Sequence, residues 1–365
     1  MHMKILTLQL ENFRNYASQD FRFKDGLNVI CGSNGAGKTN VLESVYILSL
    51  FTSPRTTKDR DLVLFGKDKA RVKMQLEKRF RKHTIILQIE ANGKKKVVVD
   101  GIPVKRAAEL IGVLGVVYFS PDEMRLVKET PAERRRFLDV GLSQQQRAYF
   151  TALSRYNKII KQKNNLLKDS AKLRNVDEML SVWDAQLAEY GAIIIYKRKK
   201  YLEQLNSEAA KIHSILSGEK EKLELGYECP IDGETVEEIK EKLFEKIEST
   251  REKDKQLGFG TVGPHRDDIS ISVNGLDSRK FASQGQQRSV ALAMKFGEAE
   301  MYREESGETP VLLLDDVLSE LDEQRQEKLL ELTQGVQTLL TCTEFKSGQY
   351  NSIVKIDNGK ITEEK

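Results

Sequence analysis

The sequence predicts an α/β fold. It comprises a mainly parallel sheet assembled from both ends of the chain, an antiparallel β subdomain beside it, and an α-helical lobe inserted between the two halves. Three observations carry this. An apolar run at 27–31 ends in GSNGAGKT at 32–39 and is followed by helical apolar spacing. Near the other end, VLLLDD at 311–316 is an apolar strand closing on two acids. Between them, from 131 to 255, the chain is poor in Gly and Pro and highly charged. The predicted lobes are therefore 1–130 with 256–365, and 131–255.

The 365 residues are long enough for two lobes, and 39% hydrophobic with 31% charged residues is the mix of a globular protein with exposed helices. A net charge of +4 and a pI near 8.7 permit a nucleic-acid partner without demanding one. Cys31, Cys229 and Cys342 lack zinc spacing and suggest no disulfide framework. Cys31 and Cys342 lie in apolar runs and read as small buried thiols. The opening MHMKILTLQL has none of the regions of a signal peptide, and stretches such as GVLGVVYF are too short to cross a bilayer. A cytoplasmic location is expected.

Taken in order, Leu6, Leu8 and Leu10 should share one face of the first strand. Residues 27–31 form a second strand, and Val41, Val45 and Leu48 mark the helix after the Gly-rich loop. RVKMQLE, HTIILQIE and KKVVVDG alternate with period two, with Asn92-Gly93 as a tight turn. In the middle, Tyr149, Leu153, Tyr156, Ile160 and Leu167 mark one amphipathic helix. Trp183, Leu187, Tyr190, Ile194, Tyr201 and Leu205 mark another, folded back past a polar turn at 170–175. A short dimeric coiled coil is the rival reading. VLLL and TLLTC are buried strands, and SIVKIDNGKI is a closing hairpin turning at Asn358-Gly359.

GSNGAGKT matches G-x-x-x-x-G-K-[ST] in full, with a strand before it and a helix after it. Gly32, Ser33, Asn34, Gly35, Ala36 and Gly37 would wrap phosphates with backbone N–H groups at a helix N-terminus. Lys38 would reach the β- and γ-phosphates of ATP, and Thr39 would place its hydroxyl on Mg²⁺. In VLLLDD, Asp315 would hold Mg²⁺ and Asp316 would polarise the attacking water. In SQGQQ at 283–287, Ser283 reads as a helix N-cap and Gly285 as a point of close approach to an anion. By itself that is a generic helix start; its position ahead of the Asp-Asp strand gives it meaning.

In this order the chain resembles an ABC-type ATPase head. SQGQQ stands at the signature motif, with Ser283, Gly285 and Gln286 as ligands to a nucleotide held by a second copy, and SELD at 319–322 resembles the D-loop. More narrowly, ENFRNY, GSNGAGKT, SPDEMRLVKETPAERRRFLD, GPHRDD, SQGQQR and LLLDDVLSELD are similar to the landmarks of the bacterial RecF recombination-mediator family. Residues 164–258 carry no matching motif. The resemblance implies an SMC-like head without long coiled-coil arms. It implies a protein that binds ATP, dimerises on it, binds DNA at junctions between single and double strands, and works with RecR and RecO to load recombinase. It also places Arg14 near the nucleotide, to stack on it. His265, Arg266 and Asp267 read as a polar hub supporting the signature segment. Two departures stand out. The Q-loop position, 120–123, has no glutamine, and Thr341 or Thr343 replaces the usual switch histidine. The first leaves the Q-loop ligand unassigned, and the second, a weaker γ-phosphate sensor, suits slow hydrolysis.

The basic clusters 134–136 and 197–200, and the lysines along 158–172, read as solvated faces or as a salt-sensitive phosphate-tracking surface. With one Trp, a duplex groove between two subunits is favoured over a stacking platform. The expected function is an ATP-gated DNA clamp with weak ATPase activity as its timer. A P-loop kinase would leave SQGQQ and SELD without a role, and an ATPase–nuclease would need an acidic domain for which the residues after Asp322 are too few.

Overall fold

The computed structural model describes residues 3–170, 175–345 and 350–365. The chain forms two compact units. The first comprises Met1–Met124, Lys211–Glu221 and Ser283–Lys365, and the second Arg125–Ala210 and Lys222–Ala282. Among the described residues, no helix is long and apolar enough to cross a membrane.

The first unit opens with β1 (Lys4–Phe13) and β2 (Tyr16–Arg22), then β3 (Leu27–Cys31) and α1 (Lys38–Leu50). β4 (Lys69–Glu77), β5 (Lys82–Glu90), β6 (Lys95–Val99) and β7 (Ile102–Val104) complete an antiparallel sheet ordered β2-β1-β4-β5-β6-β7. β8 (Val116–Phe119) follows. Period-two alternation turns Val72, Met74, Leu76, Ile85, Leu87 and Ile89 into one core with α1. The first strand departs from its expected pattern. Ile5 is buried with Leu8 and Leu10, whereas Leu6 is only half-buried. The β1–β4 ladder shifts register between Ile5 and Thr7, and such a bulge reverses the alternation on one side of it.

The second unit holds α2 (Arg125–Lys128), α3 (Pro131–Gln145), α4 (Arg147–Lys168) and most of α5 (Val176–Ser217). The two amphipathic helices are α4 and α5. Arg155 donates to the Tyr190 hydroxyl at 2.6 Å, and Lys163 pairs with Asp184 at 2.7 Å. The order of partners reverses, so the helices run antiparallel, as a folded-back pair must. Residues 171–174 of the expected turn lie outside the described residues. The region is not wholly helical, however. β9 (Leu223–Glu228) precedes α6 (Val236–Ser249) and α7 (Arg251–Leu257), and pairs with β10 (Asp268–Val273), which also pairs with β11 (Leu276–Asp277). α8 (Ser278–Phe281) closes the unit.

The chain returns to the first unit with α9 (Gln284–Ser306), β12 (Val311–Asp315), α10 (Glu323–Leu332), β13 (Thr338–Cys342), β14 (Ser352–Asp357) and β15 (Lys360–Glu364). The second sheet is ordered β15-β14-β3-β13-β12-β8, and every pair is parallel except β14–β15. β3, β12 and β13 are buried at every position, as parallel strands covered on both faces must be. Asn358 and Gly359 take φ 46° and 73°, the primed two-residue turn expected for the β14–β15 hairpin. Asn92-Gly93 sits instead in a four-residue loop, with Gly93 alone of the pair at positive φ.

Candidate nucleotide-binding site

The site gathers at the carboxyl ends of the parallel strands, where open α/β sheets place ligands. β3 leads into the loop 32–37, of which Ser33, Asn34 and Gly35 are exposed. Two glycines are required by close approach. A Cβ on Gly32 would lie 2.3 Å from the Ile356 carbonyl, and one on Gly37, at φ 114°, would lie 2.6 Å from Asn15 Nδ2. The carbonyls of the loop are held from behind. Asn15 Nδ2 and the Gly359 amide both donate to Ala36, at 3.1 and 3.0 Å, and the Tyr16 hydroxyl donates to Gly37 at 3.0 Å. Burial keeps the Tyr16 phenol protonated, and so a donor, by pushing its pKa up. Within the loop, the Ala36 amide donates to the Ser33 carbonyl at 3.2 Å. Lys38 Nζ donates to the Gly32 and Ser33 carbonyls at 2.6 and 3.0 Å, across the cradle.

The sheet order explains the acidic end of the site. β13 lies between β3 and β12, and Thr341 stands in register with Asp315. The Thr341 hydroxyl donates to Asp315 Oδ1 at 2.6 Å, the Thr39 hydroxyl to the same oxygen at 2.9 Å, and the Tyr118 hydroxyl to Oδ2 at 3.2 Å. Thr39 and Asp315 thus bring two hard oxygens together, a donor set that fits Mg²⁺. Asp316 follows at φ 48°, in the left-handed region, with its amide on both the carbonyl and the hydroxyl of Thr341. Of the two switch candidates, Thr341 is wholly buried beneath Asp315, whereas Thr343 is exposed just past the strand.

Arg14 lies in the β1–β2 turn at φ 53°. Its Nε and Nη2 form a fork on the buried carboxylate of Glu43 at 2.8 and 2.7 Å, and Nη1 donates to the Asp61 carbonyl at 2.9 Å. Glu43 also accepts from Ser53 at 2.5 Å. The in-plane donors of Arg14 are therefore engaged with α1 and its surroundings. Nothing in the sequence marked Glu43, a charged residue at a core position of a helix, as the residue that fixes it.

Ser283 caps α9 in a capping box. Its hydroxyl accepts from the Gln286 amide at 3.2 Å, and Gln286 Oε1 accepts from the Ser283 amide at 2.8 Å. Gln286 Nε2 reaches Glu221 at 2.9 Å, so this side chain is engaged at both ends within the chain. A Cβ on Gly285 would come within 2.9 Å of the Arg325 guanidinium, which pairs with the N-cap Asp322 of α10 at 2.9 Å. Farther along α9, Lys295 is buried between Glu298 and Glu123, at 3.3 and 3.4 Å. Glu123 belongs to the segment that lacks the Q-loop glutamine. The sequence offered no sign of that connection, because a lysine in a helix reads as exposed.

His265, Arg266 and Asp267 form a polar cluster with partners in the second unit. His265 Nδ1 meets the Tyr156 hydroxyl at 2.7 Å, and its Nε2 meets the Gly260 carbonyl at 3.1 Å. Arg266 donates to the same carbonyl at 3.0 Å, and Tyr227 donates to Asp267. Burial holds His265 neutral, its pKa pushed down to about 4, and raises that of Asp267.

The basic clusters are not uniformly solvated. Arg134 is 1% exposed and makes a fork on Asp268 at 2.6 and 2.9 Å. Arg198 is buried on Asp139 and the Pro264 carbonyl at 2.6 and 2.7 Å. Lys163 is buried between Asp184 and Asp254 at 2.7 and 3.5 Å. These three hold the second unit together. Arg136, Lys158, Lys161, Lys168 and Lys200 are the exposed members, and Lys172 lies outside the described residues.

Comparison with known proteins finds relatives along nearly the whole chain. The family model described as RecF/RecN/SMC N terminal domain matches residues 4–358. The DNA replication and repair protein RecF of Clostridium acetobutylicum is 42% identical over 99% of this chain and 100% of its own length. That of Agathobacter rectalis is 44% identical over 93% and 92%. The solved structure of the recombination mediator protein RecF-ATPrS in the RecFOR pathway has a TM-score of 0.93 at 36% identity, covering 99% of this chain and 98% of that one. An Smc head bound to the C-winged helix domain of ScpA shares the fold, with a TM-score of 0.59 at 16% identity and coverages of 98% and 95%. With the phosphate loop, the Asp-Asp strand end and the capped α9 arranged on one SMC-like head, the chain belongs to the RecF family of DNA replication and repair proteins.

Proposed function

We propose that this chain is an ATP-gated DNA clamp of recombinational repair. The observation that carries the reading is the 2.9 Å contact between Thr39 and Asp315, residues 276 positions apart that meet beside a phosphate loop. Gly32 to Gly37 supply amides to the phosphates, Lys38 turns from the loop carbonyls to the β- and γ-phosphates, and Thr39 and Asp315 hold Mg²⁺. Bound Mg²⁺ supplies positive charge against the phosphates. Asp316 orients the attacking water. Arg14, its fork taken by Glu43, retains a guanidinium face for stacking on the base.

Ser283 and Gly285 close on the γ-phosphate held by a second copy, and Gln286 keeps their turn in shape. The exposure of Ser283 supports a role outside its own chain. Dimer closure makes a groove for duplex DNA, tracked by the exposed lysines of α4 and by Arg136 and Lys200. The hairpin tip Arg79-Phe80-Arg81 adds a second cationic surface, with Phe80 87% exposed and the Arg79 guanidinium over its ring. Slow hydrolysis, stimulated by DNA, reopens the clamp. RecR- and RecO-like mediators act with it at single/double-strand junctions to load recombinase. Analytical ultracentrifugation with ATP and a gapped duplex tests this. Mass should double with ATP, and DNA should co-sediment. Ser283→Arg should bind nucleotide yet stay monomeric; dimerisation equal to the parent would overturn the shared site.

A further inference from the structure

Cys31 and Cys342 read from the sequence as unrelated buried thiols, 311 residues apart. In the structure they are paired. β3 and β13 lie side by side in parallel, and the ladder sets Cys31 opposite Cys342. Their sulfurs are 3.4 Å apart, and both residues are buried, at 5% and 3% exposed. Successive strand side chains alternate between faces. Thr341 and Asp315 therefore share one face of the sheet, and the two thiols occupy the other.

Each cysteine abuts a working part of the site. Cys31 immediately precedes Gly32, whose carbonyl accepts from Lys38 at 2.6 Å. Cys342 immediately follows Thr341, which holds Asp315 at 2.6 Å. We propose that Cys31 and Cys342 are a peroxide-sensitive thiol pair, and that closing their disulfide deforms the phosphate loop and releases ATP. The proposal rests on the nucleotide-binding reading above.

A disulfide is about 2.05 Å long, so sulfurs 3.4 Å apart in registered neighbouring strands must close by roughly 1.3 Å. Either sulfur can donate in the contact between them. With Cys342 as the donor, that hydrogen bond lowers the Cys31 pKa against the opposing effect of burial, with Lys38 adding to the lowering. In that arrangement Cys31 is the attacking thiolate. It attacks one oxygen of hydrogen peroxide, breaking the O–O bond; the hydroxide released takes up a proton, leaving a sulfenic acid and water. The Cys342 sulfur then attacks the sulfenic sulfur, losing its proton as the hydroxyl leaves as a second water. Two thiols lose two electrons, and the peroxide gains them. The third cysteine, Cys229, has its pKa pushed up to about 12 by burial and serves as an internal control.

The test treats the full-length protein with hydrogen peroxide under non-denaturing conditions. Non-reducing peptide mass spectrometry should find Cys31 linked to Cys342, with Cys229 free. Affinity for a fluorescent ATP analogue should fall at least tenfold and return on reduction. Cys342→Val should form no linked peptide and should keep its affinity for the analogue before treatment. Absence of the linked peptide overturns the pair, and a linked peptide with unchanged affinity overturns the switch. Failure of the untreated protein to bind the analogue would instead overturn the nucleotide reading, while the peptide result would still stand for the pair.

Discussion

The hydroxyl of Thr341 donates to Asp315 at 2.6 Å and also accepts from the Asp316 amide at 3.0 Å. One side chain on the intervening strand thus fixes both acids. Replacing it with the near-isosteric Thr341→Val removes both bonds, while Asp315 keeps Thr39 and Tyr118 and the Asp316 amide keeps the Thr341 carbonyl. The expected loss is about 1 kcal/mol of stability, from the two lost hydrogen bonds. Because Asp315 is then held only by Thr39 and Tyr118, Mg²⁺-dependent nucleotide affinity should weaken about tenfold, that is ~1.4 kcal/mol, with little change in Mg²⁺-free binding. Calorimetric titrations with and without Mg²⁺ check this; equal losses in both would show that Thr341 acts on folding alone.

Asp316 sits at φ 48°, a conformation that asparagine tolerates better than most residues. Asp316→Asn should keep the backbone, bind ATP, and remain a dimer with hydrolysis abolished. Lys38→Ala should lose nucleotide altogether. Single-turnover hydrolysis beside equilibrium binding separates the two, and an Asp316→Asn protein that hydrolyses normally would remove Asp316 from the chemistry.

Arg134, placed by sequence in a basic cluster, is a structural residue. Arg134→Met leaves Asp268 with Arg279 and the Ile269 amide as its remaining partners and should cost about 1–3 kcal/mol. Urea unfolding should show a lower midpoint, whereas the salt dependence of DNA binding should not change. Lys200→Ala should do the reverse, weakening DNA binding and flattening its salt slope without touching the midpoint. A changed salt slope in Arg134→Met would return that residue to the DNA surface.

His265 gives the second unit a defined pH response. Its pKa falls from 6.5 to about 4 on folding, chiefly through burial. Between those values the unfolded chain binds the proton and the folded one does not. Its contribution is therefore fully present above pH 6.5, declines as the pH falls, and is gone below about pH 4, amounting to about 3 kcal/mol. Unfolding followed from pH 7 to pH 4 should be steeper for the parent than for His265→Gln. Parallel profiles would refute the assignment.

Much of this was legible from residues alone. The phosphate loop, the Asp-Asp strand end and the Asn358-Gly359 turn each need particular residues at particular spacings, so local chemistry announces them. The bulge at Ile5/Thr7 was hidden because β propensity does not reveal a register shift made by a partner strand. β9 was hidden because six residues of LELGYE are too few to stand out among charged helices. Glu43, Asn15, Lys163 and Arg198 were hidden for a common reason. Polar side chains look like surface residues until tertiary contacts supply their partners.

The capping box at Ser283 has a consequence for timing. The serine oxygen already accepts from the Gln286 amide, and its own hydrogen remains available to point outward. In the proposed shared site, a phosphate arriving from a neighbouring molecule would meet a donor oxygen already held in place, and the helix start would not need to unwind to receive it. Association should then be limited by encounter and dehydration, with no slow rearrangement of this turn beforehand.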